Sequence, residues 1–366
     1  MDFVPLIDAI GEPATFAVIG LALGLAFGVL AERTGFCTRS AALELSNGKP
    51  GRMLPLWLVA FAAAILATQA LVAAGAVDLS DTRFFGTAQS LSGAVIGGTL
   101  FGGGMVLTRG CASRLLVLGS SGNLRAVFSI AVIAVVAWAT YQGPLVPIRN
   151  SVAGLLMTSS IGTNDLAAVT GTGAYTGLGA GLLLAILAGT VAVLRGLPVL
   201  QAIAGIAIGG LIAAGWYLTY HFSLQVFEPV QADSLSFMRP LANTLNFAAS
   251  GGDESFLSMD VGLFAGTVLG ALAASILSGS FRIRTFAEPG TPHWLRYAAG
   301  SVLMGFGGIL AVGCTIGAGF TGGAVMAISS LFALASMILS AMITDRLVDR
   351  NRRSRPQRSA TAMAAR

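Results

Sequence analysis

From Tyr297 to Thr344 the chain carries no Asp, Glu, Lys, Arg or His over 48 consecutive residues. As one helix this stretch would reach about 72 Å, more than two hydrocarbon thicknesses of a bilayer. It must therefore break and turn inside an apolar medium. Further apolar runs long enough to cross a membrane are Phe16–Leu30, Pro55–Val77, Leu91–Leu107, Ala126–Tyr141, Tyr175–Leu194, Val199–Tyr220 and Val261–Phe281. With Tyr297–Val312 and Ala324–Thr344 they make nine spans. Only 10% of the 366 residues are charged and 55% are hydrophobic, against the roughly 25% charge of an ordinary soluble domain. That excludes a soluble enzyme. The predicted fold class is an all-α polytopic membrane protein.

The charges that exist set the direction of the spans. Of 21 basic residues, 20 are Arg, with Lys49 the single Lys. Residues 346–366 form a basic tail containing Arg346, Arg350, Arg352, Arg353, Arg355, Arg358 and Arg366, which the positive-inside rule holds in the cytoplasm. Nine spans then place the N-terminus in the periplasm. The segments predicted inside carry 18 basic and 5 acidic residues and those outside 3 and 11, so the loops agree with the tail. The basic excess thus reads as topology and not as a nucleic-acid surface. The start carries Asp2, Asp8 and Glu12 and no basic n-region, so it reads as part of the mature chain and not as a secretory signal. The acidic stretch Glu228–Asp260 reads as an outer cap or short surface helices.

Fifteen residues, Gly97 to Cys111, align without gaps on Gly300 to Cys314, with seven identities that include Gly110-Cys111 on Gly313-Cys314. Gly20-Leu-Ala-Leu-Gly24 aligns more weakly on Gly205-Ile-Ala-Ile-Gly209, which puts the counterpart of Cys37 at Phe222. By loop charge the third span runs inward and the eighth outward. The expected organisation is an inverted repeat with broken or re-entrant half-helices: residues 1–150 a first four-span unit, 151–197 a linking span, 198–345 a second four-span unit, and 346–366 a disordered tail.

All three cysteines fall where helices should break: Gly35-Phe36-Cys37-Thr38-Arg39, Arg109-Gly110-Cys111-Ala112-Ser113-Arg114 and Gly313-Cys314-Thr315-Ile316-Gly317-Ala318-Gly319. Irregular backbone at membrane depth survives only when buried in protein or lining a polar cavity. The three breaks therefore suggest one pathway, lined by Cys37, Cys111 and Cys314 with Thr38 and Thr315 beside them. Gly110 and Gly313 should tolerate side chains poorly, since the backbone must turn there. Short-helix N-termini favour an anion, and a neutral thiol suits a large, soft partner, so a sulfur-containing anion fits better than chloride or phosphate. Arg39, Arg109 and Arg114 either attract that anion at the inner mouth or mark the cytoplasmic boundary. Glu32 and Arg33 read as a mutually neutralising pair, His221 as an outer-interface residue and His293 as surface. A copper route would add Met or His ligands, and a disulfide framework or zinc site is not credible with three Cys and two His. No cofactor is expected, and no G-x-x-x-x-G-K-[ST] pattern provides for ATP hydrolysis.

At these breaks the sequence resembles the YeeE/YedE family of bacterial sulfur-transport membrane proteins. The residues that carry the resemblance are Gly35 to Ala41, Phe101 to Ser113 and Gly305 to Gly317, and span count and loop lengths extend it through the chain. The resemblance implies a permease, not an enzyme, that imports thiosulfate across the inner membrane and passes it along Cys37, Cys111 and Cys314 by S–H···S and N–H···O contacts. It also implies a small TusA-like sulfur carrier at the cytoplasmic face. Ala318 departs from the pattern, since several members carry Gln there. Sulfide, sulfite or a selenium compound are alternative cargoes, and a membrane thiol-disulfide redox enzyme is an alternative function.

Overall fold

The computed structural model describes residues 2–48, 51–160, 162–171, 175–227 and 229–350. The basic tail beyond Arg350 lies outside the described residues. The described chain is helical. A short α1 (Val4–Ile10) leads into α2 (Glu12–Thr34), α3 (Thr38–Asn47), α4 (Met53–Ala73), α5 (Leu91–Leu107), α6 (Ala112–Ser120) and α7 (Leu124–Tyr141). The loop helices α8 (Val146–Ala153) and α9 (Leu166–Thr170) precede α10 (Tyr175–Leu194) and α11 (Val199–Ser223). Then come α12 (Met238–Ala249), α13 (Met259–Leu277) and α14 (Trp294–Leu310), a π-helix over Thr315–Thr321 that runs into α15 (Gly322–Ala324), and α16 (Ile328–Asp345). Among the described residues nine segments are long and apolar enough to span a membrane, each overlapping one of the runs read from sequence.

Glycine decides how these helices pack. Lipid offers no hydrophobic drive for one apolar helix to leave it for another, so close backbone approach must supply the contact energy. Gly20, Gly24 and Gly28 of α2 face the backbone of Met259, Leu263 and Thr267, while Gly262, Gly266 and Gly270 of α13 face Ala17, Leu21 and Leu25. A Cβ at any of the six would overlap a facing carbonyl oxygen. The α5–α14 crossing is built the same way and is reciprocal. A Cβ on Gly97 would stand 2.6 Å from the Gly307 oxygen and one on Gly307 2.6 Å from the Gly97 oxygen. Gly104 and Gly300 meet equally, at 2.6 and 2.8 Å. Since Gly97 meets Gly307 and Gly104 meets Gly300, the two helices cross antiparallel. The longest seams, α2 on α13, α5 on α14 and α16, and α4 on α11, all join the first half of the sequence to the second.

Within the acidic stretch, residues 233–242 are more deeply embedded than a surface cap, while residues 248–256 are exposed and Glu228 lies outside the described residues. Asp233 to Phe237 are buried, and α12 packs on α7 and α13 with Met238, Pro240, Leu241 and Ala242 inside. Arg239 anchors it through a paired contact with Asp260 (Nε to Oδ2 2.6 Å, NH2 to Oδ1 3.1 Å) and an ion pair to Asp233 at 2.7 Å. Burial works against the Arg239 charge, but Asp260 and Asp233 outweigh it and hold the guanidinium above its ordinary range. On the same face Asn164 donates to the Phe84 carbonyl at 2.8 Å and accepts from the Ser329 amide at 2.8 Å. It thereby ties the α4–α5 loop to the start of α16.

Candidate functional site

The three breaks share one backbone form. Two residues before each cysteine the chain is left-handed: Gly35 at φ 67°, Arg109 at 64° and Val312 at 60°. Two of these are not glycine, and a Val there is uncommon because its branched Cβ crowds the carbonyl. Each cysteine then extends and caps a short helix: Cys37 caps α3, Cys111 caps α6 and Cys314 caps the π-helix. The third break is narrower than glycine density predicts. Residues 315–321 wind as a π-helix, which keeps the backbone of that glycine-rich run bonded, so the irregular part is Ala311 to Cys314.

All three thiols are free and buried. Cys37 and Cys111, 74 residues apart in sequence, meet with their sulfurs 4.0 Å apart, and Cys111 Sγ is 3.4 Å from Ser113 Oγ. Thr38, directly after Cys37, accepts from Trp57 Nε1 at 3.1 Å. Cys314 stands apart from this pair. The Gly317 amide donates to its sulfur at 3.5 Å, and Arg83 reaches across from the α4–α5 loop to donate to the Val312 carbonyl at 3.3 Å. An aromatic cluster connects the two places: Phe320 of the π-helix meets Phe36, next to Cys37, at 5.7 Å, Trp57 at 5.2 Å and Phe61 at 5.3 Å, all edge-on.

The arginines beside the thiols are not equivalent. Arg114 donates to the Ala31 carbonyl at 3.3 Å and pairs with Glu32 at 3.5 Å, fastening α6 to α2. Glu32 therefore pairs with Arg114 and not with its neighbour Arg33. Arg39 lies 3.9 Å from Asp349, which Arg296 holds through two contacts at 2.9 and 3.1 Å. Arg109 is exposed in its left-handed turn. Thr315 is fully buried with no partner for its hydroxyl. Gly313 has φ 154°, and a Cβ there would stand 2.6 Å from the Ala318 nitrogen. Gly110 has no such φ, and its Cβ would meet the Leu115 side chain at 3.1 Å and the Leu115 nitrogen at an ordinary 3.8 Å.

Phe222, the aligned counterpart of Cys37, does not cap a short helix. It lies in the last turn of α11, stacked on Phe16 at 4.8 Å and edge-on to Phe3 at 5.9 Å. The short helix that follows α11 is capped instead by Phe237, after an extended segment. His293, exposed as expected, also caps α14 by accepting from the Leu295 amide at 3.3 Å. Arg83 and Ser236, which the sequence reading did not single out, both lie beside the third break, Arg83 on the Val312 carbonyl and Ser236 against Gly317. The signal for the first was an arginine on a face otherwise rich in acids. Among the described residues no three His, Cys, Asp or Glu gather as metal ligands.

A multi-pass membrane protein whose helices break around buried thiols has the architecture of a transport protein rather than of an enzyme. The family model for sulphur transport matches residues 33–343, and the chain belongs to that family. It is 27% identical to the thiosulfate transporter TsuA of Escherichia coli K12 over 94% of this chain and 97% of that protein. It is 25% identical to the thiosulfate transporter TsuA of Spirochaeta thermophila over 87% and 95%.

Proposed function

We propose that this protein is a permease that imports thiosulfate, or a closely related sulfur anion, across the inner membrane by way of Cys314 and the Cys37–Cys111 pair. The observation that carries this reading is the repeated cap: three free, buried thiols, each two residues past a left-handed turn. The reciprocal glycine contacts of α5 and α14 support the inverted repeat that such a route calls for. The loop charges support a periplasmic N-terminus and cytoplasmic C-terminus. Cargo then meets Cys314, beside Arg83 on the acidic face, before the thiol pair near Arg39.

Neutral thiols suit passage. An S–H donor and the amides of a helix N-terminus offer an anion several weak contacts, and no fixed Lys holds it, so binding suffices for entry without preventing release. The terminal sulfur of thiosulfate is the soft acceptor for S–H. Flow follows the gradient that cytoplasmic consumption maintains, and the arginine-rich inner face offers a docking surface for a TusA-like carrier. Uptake of labelled thiosulfate into proteoliposomes tests the reading. Cys37→Ala, Cys111→Ala and Cys314→Ala should each lose uptake while remaining folded; wild-type rates in all three would sink the pathway.

A further inference from the structure

Cys314 is the thiol that the α11–α12 connection approaches. The segment Asp233–Phe237 runs beside the third break, and its other polar side chains, Asp233 and Ser234, are engaged. Ser234 Oγ donates to the Ile212 carbonyl at 2.7 Å, and the Leu235 carbonyl accepts from Thr321 Oγ1 at 2.5 Å. Ser236 is different. It is 1% exposed, its hydroxyl has no hydrogen-bond partner, and it lies directly against Gly317, where no Cβ would fit. The Thr315 hydroxyl, also buried, is likewise unpartnered.

Arg83 completes the set. Its NH1 donates to the Val312 carbonyl, its Nε lies 3.3 Å from Asp233 Oδ1, and its plane is fixed over the Phe84 ring at 4.7 Å. Its NH2 is buried with no hydrogen-bond partner. Leaving a buried donor unmade costs about 1–3 kcal/mol, so each such group calls for an explanation. Three of them, on segments from three parts of the chain, gather at the one break that holds a lone thiol.

We propose that Ser236 and Arg83, with Thr315, are specificity-determining contacts that donate to the oxygen atoms of the sulfur oxyanion while it stands at Cys314. The inference rests on the pathway reading above and divides recognition in two: oxygens are read at Cys314, and sulfur at the Cys37–Cys111 pair. Charge balance fits this division. Arg83 and Arg239 are matched by Asp233 and Asp260, so the cluster carries no net charge to trap a dianion, and recognition falls to directed donors.

The test is the initial rate of thiosulfate uptake into proteoliposomes holding the full chain, with sulfide, which has no oxygen, as competitor. Ser236→Ala should raise the thiosulfate KM about tenfold, as loss of a hydrogen bond to an anion does, more than it lowers Vmax. Sulfide inhibition should stay unchanged. Arg83→Lys, which keeps the charge and loses the planar fork, should also raise KM. An unchanged KM in Ser236→Ala, beside active wild type, overturns this inference alone. Absence of thiosulfate uptake by wild type overturns the pathway reading and this inference with it. Should Ser236→Ala fail to fold, the near-isosteric Thr315→Val reads the second hydroxyl, and an unchanged KM there overturns the inference equally.

Discussion

Gly110 and Gly313 occupy matching places in the two aligned motifs, yet the structure assigns them different tolerances. Gly313 has φ 154°, and an added Cβ would stand 2.6 Å from the Ala318 nitrogen, where ordinary contact begins at 3.4 Å. The neighbour is backbone at the first turns of the π-helix, so relief means moving the cap itself. Strain at such a φ costs about 1–3 kcal/mol and overpacking a similar about 1–3 kcal/mol, which gives about 2–6 kcal/mol for Gly313→Ala. Gly110 has no positive φ, and its Cβ would touch the end of the Leu115 side chain at 3.1 Å. A leucine can yield, so Gly110→Ala should cost less than about 1 kcal/mol. Thermal unfolding of the purified protein in detergent, followed by tryptophan fluorescence, reads the difference: a fall on the order of 5–10 °C for Gly313→Ala and little change for Gly110→Ala. Equal losses, or a Gly313→Ala protein as stable as wild type, would refute the reasoning.

Gly266→Ala should separate α13 from α2, because its Cβ overlaps the Leu21 carbonyl; a cost of about 1–3 kcal/mol should appear as a lower unfolding midpoint, and an unchanged midpoint counts against the backbone seam. Asp260→Ala should be more damaging, about 3–5 kcal/mol, since it strips Arg239 of a buried partner; size-exclusion profiles after mild heating would show it, and a wild-type profile would make the cluster dispensable. A short bifunctional thiol reagent, or mild oxidation, should join Cys37 to Cys111, whose sulfurs are 4.0 Å apart, and leave Cys314 single. Peptide mapping by mass spectrometry checks this, and a link to Cys314 would contradict the arrangement.

The spans and the breaks were legible in the sequence because both are local: apolar length writes the first, and glycine beside cysteine the second. Even the left-handed turn at Gly35 has a local sign, whereas those at Arg109 and Val312 do not, since tertiary packing imposes them against residue preference. What stayed hidden was long-range. Nothing near Cys37 indicates that Cys111 rather than Cys314 is its neighbour. A short helix in the acidic stretch was expected, but the burial of α12 was not, because its 12 residues carry Arg239, Pro240, Asn243 and Asn246, which lower its apolar average below that of a span. The same arginine gave a clue in hindsight, since a charge so close to an apolar run needs a partner, and Asp260 supplies it. Phe222 misled because the α11–α12 connection is longer than the α2–α3 connection, so an ungapped comparison stops short of the cap at Phe237.

The interleaving of the two sequence halves has a consequence for how the protein is made. The glycine face of α2 waits for α13, and more than 200 residues separate the end of one from the end of the other. At 5–20 residues per second, α13 leaves the ribosome roughly 10–50 s after α2. Over that interval the first helices sit in the bilayer with their closest-packing faces against acyl chains. Neither half can bury these glycine faces on its own, and the surroundings of the three cysteines are complete only after the last spans have been inserted.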